Sequence, residues 1–218
     1  LESILNQKCN KTEIVLIDDL STDNTQVICH KYIEKNHNIK FLRNSKNLGV
    51  GASRNEGIKN SEGKYIIFVD SDDGLFPNAL QALEQEIKKK KEPDVIVVKY
   101  EKDTFPQTNH HLIIDNIEND KNSETLINYL NKTKFPFADC WSFVCKRNFI
   151  YKNQIYFPKI RIGESEIFVS KLICFMETFS FMLESFYNKK DRDFSLNHTQ
   201  GYEAAESTLI LLLEFFIF

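Results

Sequence analysis

Two acidic groups in the sequence have the spacing to do chemistry. Asp18-Asp19 runs on to Ser21-Thr22-Asp23, and Asp70-Ser71-Asp72-Asp73 sets three carboxylates within four residues. Each group ends an apolar run, EIVLID over 13–18 and KYIIFVD over 64–70. Carboxylates so close repel one another and stay ionised only where a cation or hydrogen-bond donors compensate them. The spacing of Asp70 and Asp72 suits a hard divalent ion, which takes one or two carboxylates and completes its shell with water and a substrate diphosphate. The plainer alternative is that these acids end the strand and cap the helix launched after Pro77.

The elements that position the acids follow from periodicity. Short β-branched runs predict strands at 13–18, 39–44, 64–70 and 94–100, alternating with stretches of helical period at 21–35, 51–60 and 78–91. Ser21 or Thr22 is expected to cap the first of these helices, with Val27, Ile28 and Tyr32 turned inward. Such alternation predicts an α/β fold, with a mainly parallel nucleotide-binding sheet flanked by helices over residues 1–100. Ligands of such sheets bind beyond the carboxyl ends of the strands, where both acidic groups lie. After Tyr100 the alternation lapses. Residues 101–122 read as a polar surface segment, 123–132 as a helix, 135–150 as an aromatic stretch, 164–175 as a helix and 179–190 as a strand. Residues 101–218 thus form a less regular half of one domain. The opening LESILNQ reads as the last turns of a helix whose start lies upstream.

Composition narrows the partners. The 218 residues carry 28 basic and 31 acidic side chains, a net charge of −3, so no polyanion-binding field exists and nucleic acid is excluded as the main partner. The five cysteines lack paired spacing and predict reduced thiols in a cytoplasmic chain. No basic-then-apolar segment suggests secretion, so secretion is not expected. The apolar STLILLLEFFIF at 207–218 is interrupted by Glu214 and falls short of the roughly 20 residues that span a bilayer. It has three readings: a helix packed on the core or on a second copy, a peripheral contact at the inner face of the cell membrane, or an abnormal C-terminus from a shifted frame.

Four segments in order, SILNQ at 3–7, EIVLIDD-x-STDNT at 13–25, NLGVGASRNEGI at 47–58 and GKYIIFVDSDD at 63–73, resemble the family 2 glycosyltransferases with the GT-A fold. WSFVCKRNFI at 141–150 and GESEIF at 163–168 extend the likeness more faintly. The resemblance implies a nucleotide-sugar donor, UDP-linked in the first instance, Mn2+ or Mg2+ as cofactor, and inverting transfer to a saccharide or lipid-linked saccharide acceptor. Surface polysaccharide or lipooligosaccharide synthesis is the implied setting. Carried over by position, Asp19 corresponds to the acid that accepts from the uracil imide, Asp70 to the ribose and metal contact, Asp72 to the direct metal ligand, and Arg54 to an arginine beside the nucleotide. Gly49 and Gly51 would let backbone approach the nucleotide, or only turn the chain.

The sequence departs from the family pattern at two places. Ser165 stands where the family carries the aspartate that deprotonates the acceptor, leaving Glu164 and Glu166 as replacements. The apolar first strand with its Pro-x-Tyr-Asn turn is missing, so the sheet is expected to lack a central strand. These departures also admit a catalytically inactive nucleotide-sugar-binding remnant. A receiver-type signalling domain would explain acids at strand ends but not the ASRNEG segment at 52–57. Of the lesser candidates, Trp141 reads as a sugar-stacking ring or a core anchor, His198 as a further metal ligand or a solvated side chain, and Lys88–Lys91 as a solvated helix end.

Overall fold

A computed structural model of the chain describes residues 1–7, 9, 11–102 and 139–190. The helix expected at 123–132, most of the polar segment before it, His198 and the apolar stretch at 207–218 lie outside the described residues. The elements are α1 (Glu2–Leu5), β1 (Ile14–Asp18), α2 (Thr25–Ile33), β2 (Ile39–Arg43), α3 (Val50–Asn60), β3 (Tyr65–Ile66), β4 (Gly74–Leu75) and α4 (Ala79–Lys89). They continue with β5 (Val95–Lys102), a 3-10 turn (Cys140–Ser142), β6 (Phe143–Lys146), α5 (Arg147–Lys152), α6 (Glu164–Phe175) and β7 (Phe179–Lys189).

The strands fall into two groups. β1 and β2 pair in parallel, from Ile14 opposite Ile39 to Asp18 opposite Arg43. The other five form a sheet in the order β3-β6-β5-β7-β4, in which only β5 and β7 run parallel. The sheet is therefore more mixed than alternation alone predicts, because β6 and β4 enter antiparallel from segments outside the strand–helix rhythm. β5 fits the expectation of a strand covered on both faces: Val95 and Val97 pack with Phe68, Phe143, Phe168 and Leu172, while Ile96 and Val98 pack with Leu80, Leu83, Met182 and Phe186.

Three local expectations are corrected. The run 64–70 forms a ladder only at Tyr65 and Ile66, because no strand lies on its other edge among the described residues. The Glu13 carboxylate, just before β1, accepts hydrogen bonds from the amides of Glu62 and Gly63, just before β3, and so ties the two strand groups together at that end. Helix α2 starts later than expected, at Thr25, whose amide donates to Asp23 Oδ1 at 2.9 Å. Its Val27 and Ile28 face outward, 55% and 51% exposed, while Tyr32 donates its hydroxyl proton to Glu2 at 2.7 Å. Trp141 is a core anchor, 2% exposed and stacked on Tyr187 with ring centroids 4.6 Å apart, so it offers no face to a sugar. None of the five cysteines is disulfide-bonded.

Candidate active site

At the end of β1 the two aspartates turn opposite ways. Asp18 is buried, accepts from the Ser21 amide at 2.9 Å and pairs with Arg43 at 3.3 Å. Asp19 instead reaches the start of α3. Its Oδ1 accepts from the Leu48 amide at 2.8 Å and from Asn44 Nδ2 at 2.7 Å, and its Oδ2 from the Gly49 amide at 2.8 Å. Burial alone would raise its pKa, but these donors, with Ser53, hold the carboxyl below its ordinary value. Asn44, Leu48, Gly49 and Ser53 together meet the acceptor capacity of the Asp19 carboxylate from within the protein. Gly49 precedes α3 with φ +85°, a left-handed conformation that favours glycine, and so turns the chain into the helix.

The second turn of α3 carries Arg54, which gathers the site. Its Nη2 donates to Asp70 Oδ1 at 2.8 Å, and its Nη1 to Glu164 Oε1 at 3.2 Å and Ser165 Oγ at 3.0 Å. The guanidinium lies 5.5 Å from the centroid of the Phe157 ring, and the side chain is only 13% exposed. The fork geometry of arginine is what permits one residue to bond two carboxylates from separate segments. Gly51 lets the helices approach: a Cβ there would stand 3.0 Å from Glu164 Cγ and 3.3 Å from Phe157 Cβ. Phe157 and Gly51 thus set the distance between α3 and α6, a role their sequence positions do not announce.

The acids at 70–73 form a tight turn in which the Asp73 amide donates to the Asp70 carbonyl at 3.1 Å. Asp73 is committed elsewhere: Oδ2 accepts from the Tyr187 hydroxyl at 2.8 Å and Oδ1 from the Lys190 amide at 2.9 Å. Burial raises its pKa, with the charges of Asp72 and Asp70 acting the same way against those two donors. Among the described residues no three potential ligands converge as a closed metal cage. Asp70, paired with Arg54, and Asp72 have the spacing to meet a cation, and that donor set fits the open, water-rich coordination of Mg2+ or Mn2+ rather than an all-protein site.

At the start of α6, Glu164 and Ser165 share Arg54, and Ser165 Oγ also lies 3.4 Å from Glu164 Oε1. Glu166, one residue on, has no bond to that cluster. Burial raises its pKa, helped by the negative charges of Glu164 and Asp139. Burial also pushes the neighbouring Cys140 thiol up to about 12, which leaves it inert as a nucleophile. Of the residues singled out by sequence, Arg54, Asp70 and Glu164 are brought into direct contact, while Asp19 bonds Asn44, whose Nδ2 also donates to Ser53 Oγ at 3.0 Å. Tyr187, Asn44 and Phe157 were not foreseen. Nothing in the sequence of β7, FSFMLESFYNK, singles out Tyr187.

Comparison with known proteins bears on the family and the fold. Residues 1–153 match the family model described as Glycosyl transferase family 2. The minor teichoic acid biosynthesis protein GgaB of Bacillus subtilis is 27% identical over 201 residues, covering 88% of this chain and 21% of its own. The crystal structure of S. aureus TarS 1-349 in complex with UDP-GlcNAc superposes with a TM-score of 0.76 at 23% identity, covering 98% of this chain and 60% of that one. The mannosyltransferase PcManGT from Pyrobaculum calidifontis, solved with GDP-Man and Mn2+, gives a TM-score of 0.60 at 13% identity, covering 86% of this chain and 51% of that one. The chain has the GT-A fold of these neighbours. It spans about a fifth of GgaB and less than two thirds of either solved chain.

Proposed function

The chain belongs to glycosyl transferase family 2, and on that footing we propose that it carries the donor site of an inverting glycosyltransferase. In this reading a sugar passes from a UDP-sugar to a hydroxyl of a saccharide or lipid-linked saccharide in surface polysaccharide or lipooligosaccharide assembly. Residues 1–100 supply the nucleotide side and later residues the acceptor side. The likeness to a teichoic acid protein and to a chain that binds UDP-GlcNAc supports both the setting and the donor class. The observation that carries the reading is Arg54, which holds Asp70 of the donor side and Glu164 of the acceptor side in one cluster.

Asp19 would accept from the uracil imide in place of one of its present donors, while Asp70 and Asp72 would hold Mn2+ or Mg2+ on the diphosphate. Such an ion neutralises the charge that develops on the departing nucleoside diphosphate. For the base, position comes before pKa. Glu164 shares a cation with Asp70 and therefore stands beside the donor; it would take the proton of the acceptor hydroxyl as that oxygen attacks the anomeric carbon and the bond to the diphosphate breaks. Glu166, with its raised pKa, is the second candidate, turned about 200° around the helix from Glu164. Arg54 holds Glu164 in place.

One observation favours a second reading, a nucleotide-sugar binder without turnover: a hydroxyl, that of Ser165, lies 3.0 Å from Arg54 where the family pattern has a carboxylate. Sugar release from UDP-GlcNAc, measured beside UDP binding by calorimetry, separates the two. Turnover abolished by Glu164→Gln with UDP binding intact supports the enzyme; binding without turnover supports the binder; absence of UDP binding overturns both.

A further inference from the structure

The turn at 70–73 sets three negative charges side by side, and Arg54 pairs with the first of them, Asp70. The third is met from the opposite side by β7. The Tyr187 hydroxyl donates to Asp73 Oδ2 at 2.8 Å and at the same time accepts from the Asp70 backbone amide at 3.1 Å. A phenol has one proton to give and lone pairs to receive, so both functions are in use across the two ends of one turn. The oxygen has little freedom, because the Tyr187 ring is fully buried and stacked on Trp141, which in turn lies under Lys189 Nζ at 4.5 Å from its centroid. The chain leaving the turn is also laid on β7: Leu75 pairs with Tyr187, and the Phe76 amide donates to the Phe186 carbonyl at 3.0 Å.

We infer that Tyr187 is a positioning residue for the donor site: by gripping the Asp70 amide and the Asp73 carboxylate together it keeps Asp73 as an anchor and presents Asp70 and Asp72 to the diphosphate. Without the hydroxyl, Asp73 keeps only the Lys190 amide and has two like charges beside it, so the turn is free to swing and its carboxylates no longer share one orientation. The inference rests on the proposed role of Asp70 and Asp72 in metal-assisted donor binding.

Tyr187→Phe removes the hydroxyl and keeps the ring on Trp141, whose emission reports that the core is unchanged. UDP affinity is measured by calorimetry in Mn2+ and again in EDTA, and the ratio of the two is the readout. In Tyr187→Phe the tightening by Mn2+ is expected to fall about three- to tenfold, the scale of one ordinary hydrogen bond, while the affinity in EDTA is unchanged. Asp73→Ala should reproduce that loss, and Asp73→Asn, which keeps an oxygen for the tyrosine, should recover most of it. An unchanged ratio in Tyr187→Phe, or an equal loss in Mn2+ and EDTA, overturns the inference. If Trp141 emission shows Tyr187→Phe to be misfolded, the two Asp73 variants decide by the same ratio. A wild-type chain with no tightening by Mn2+ overturns both this inference and the metal reading beneath it; tightening that survives in the variants overturns the inference alone.

Discussion

Arg54 Nη2 and Asp70 Oδ1 meet at 2.8 Å in a place where the arginine is nearly enclosed, so the donor-side acid is never without a counter-charge. Arg54→Lys replaces a fork by a point charge, which cannot reach Asp70, Glu164 and Ser165 together. UDP affinity is expected to drop at least about tenfold, and urea unfolding to show a loss of about 3 kcal/mol, the low end for breaking a buried pair. Full affinity in the lysine variant would show that the charge alone suffices.

Asp72→Ala leaves the turn anchored through Asp70 and Asp73 but deletes a carboxylate from the proposed ion site. Calorimetry in Mn2+ should then give the affinity seen for the wild type in EDTA. An affinity for UDP that is equal with and without Mn2+ in the wild type would assign Asp72 a role other than ligand.

Ser165→Asp places a carboxylate 3 Å or so from the Arg54 guanidinium, which can receive it despite Glu164 next door. A general base contributes about 10² to 10⁴ in rate, so transfer should rise by at least about tenfold if the wild type lacks an effective one. If the wild type is already fast and Glu164→Gln silences it without weakening UDP, the glutamate is the base and the aspartate adds little.

Glu166 gives a pH signature. Its pKa in the folded chain is raised, so its charged form is penalised on folding, and that cost sets in as pH rises above the ordinary carboxylate range. Glu166→Gln is therefore expected to raise the melting temperature at pH 7 to 8 and to leave it nearly unchanged near pH 4, where the wild-type group is protonated in both states. A gain of the same size at both pH values would trace the effect to packing instead.

The acids, Arg54 and the α/β half were legible because each sits where a short local pattern dictates it: an apolar strand ending in carboxylates, a glycine-led helix start. What joins them was not. Arg54 and Glu164 are 110 residues apart, and nothing local announces their contact. Tyr187 follows the equally buried Phe186 in β7, and nothing local sets it apart from core. Val27 and Ile28 were misassigned because two adjacent apolar residues fit an inward stripe of either phase, and only the packing partners, here scarce, decide which way α2 turns. The run 64–70 was read as a full strand from its residues, although a ladder is a property of two strands and not of one.

Of the features of the fold, the division into two strand groups bears most directly on handling. The edge of β1 away from β2 and the backbone of residues 67–70 carry no ladder among the described residues, and Val15, Leu16 and Ile17 are only half-buried. Unpaired amides and carbonyls along an apolar strand are a template for any extended chain that drifts past, including another copy. Solutions of this chain should accordingly self-associate in a concentration-dependent way through β-pairing. Dilution and a charged substitution such as Leu16→Lys are the means to keep it monomeric.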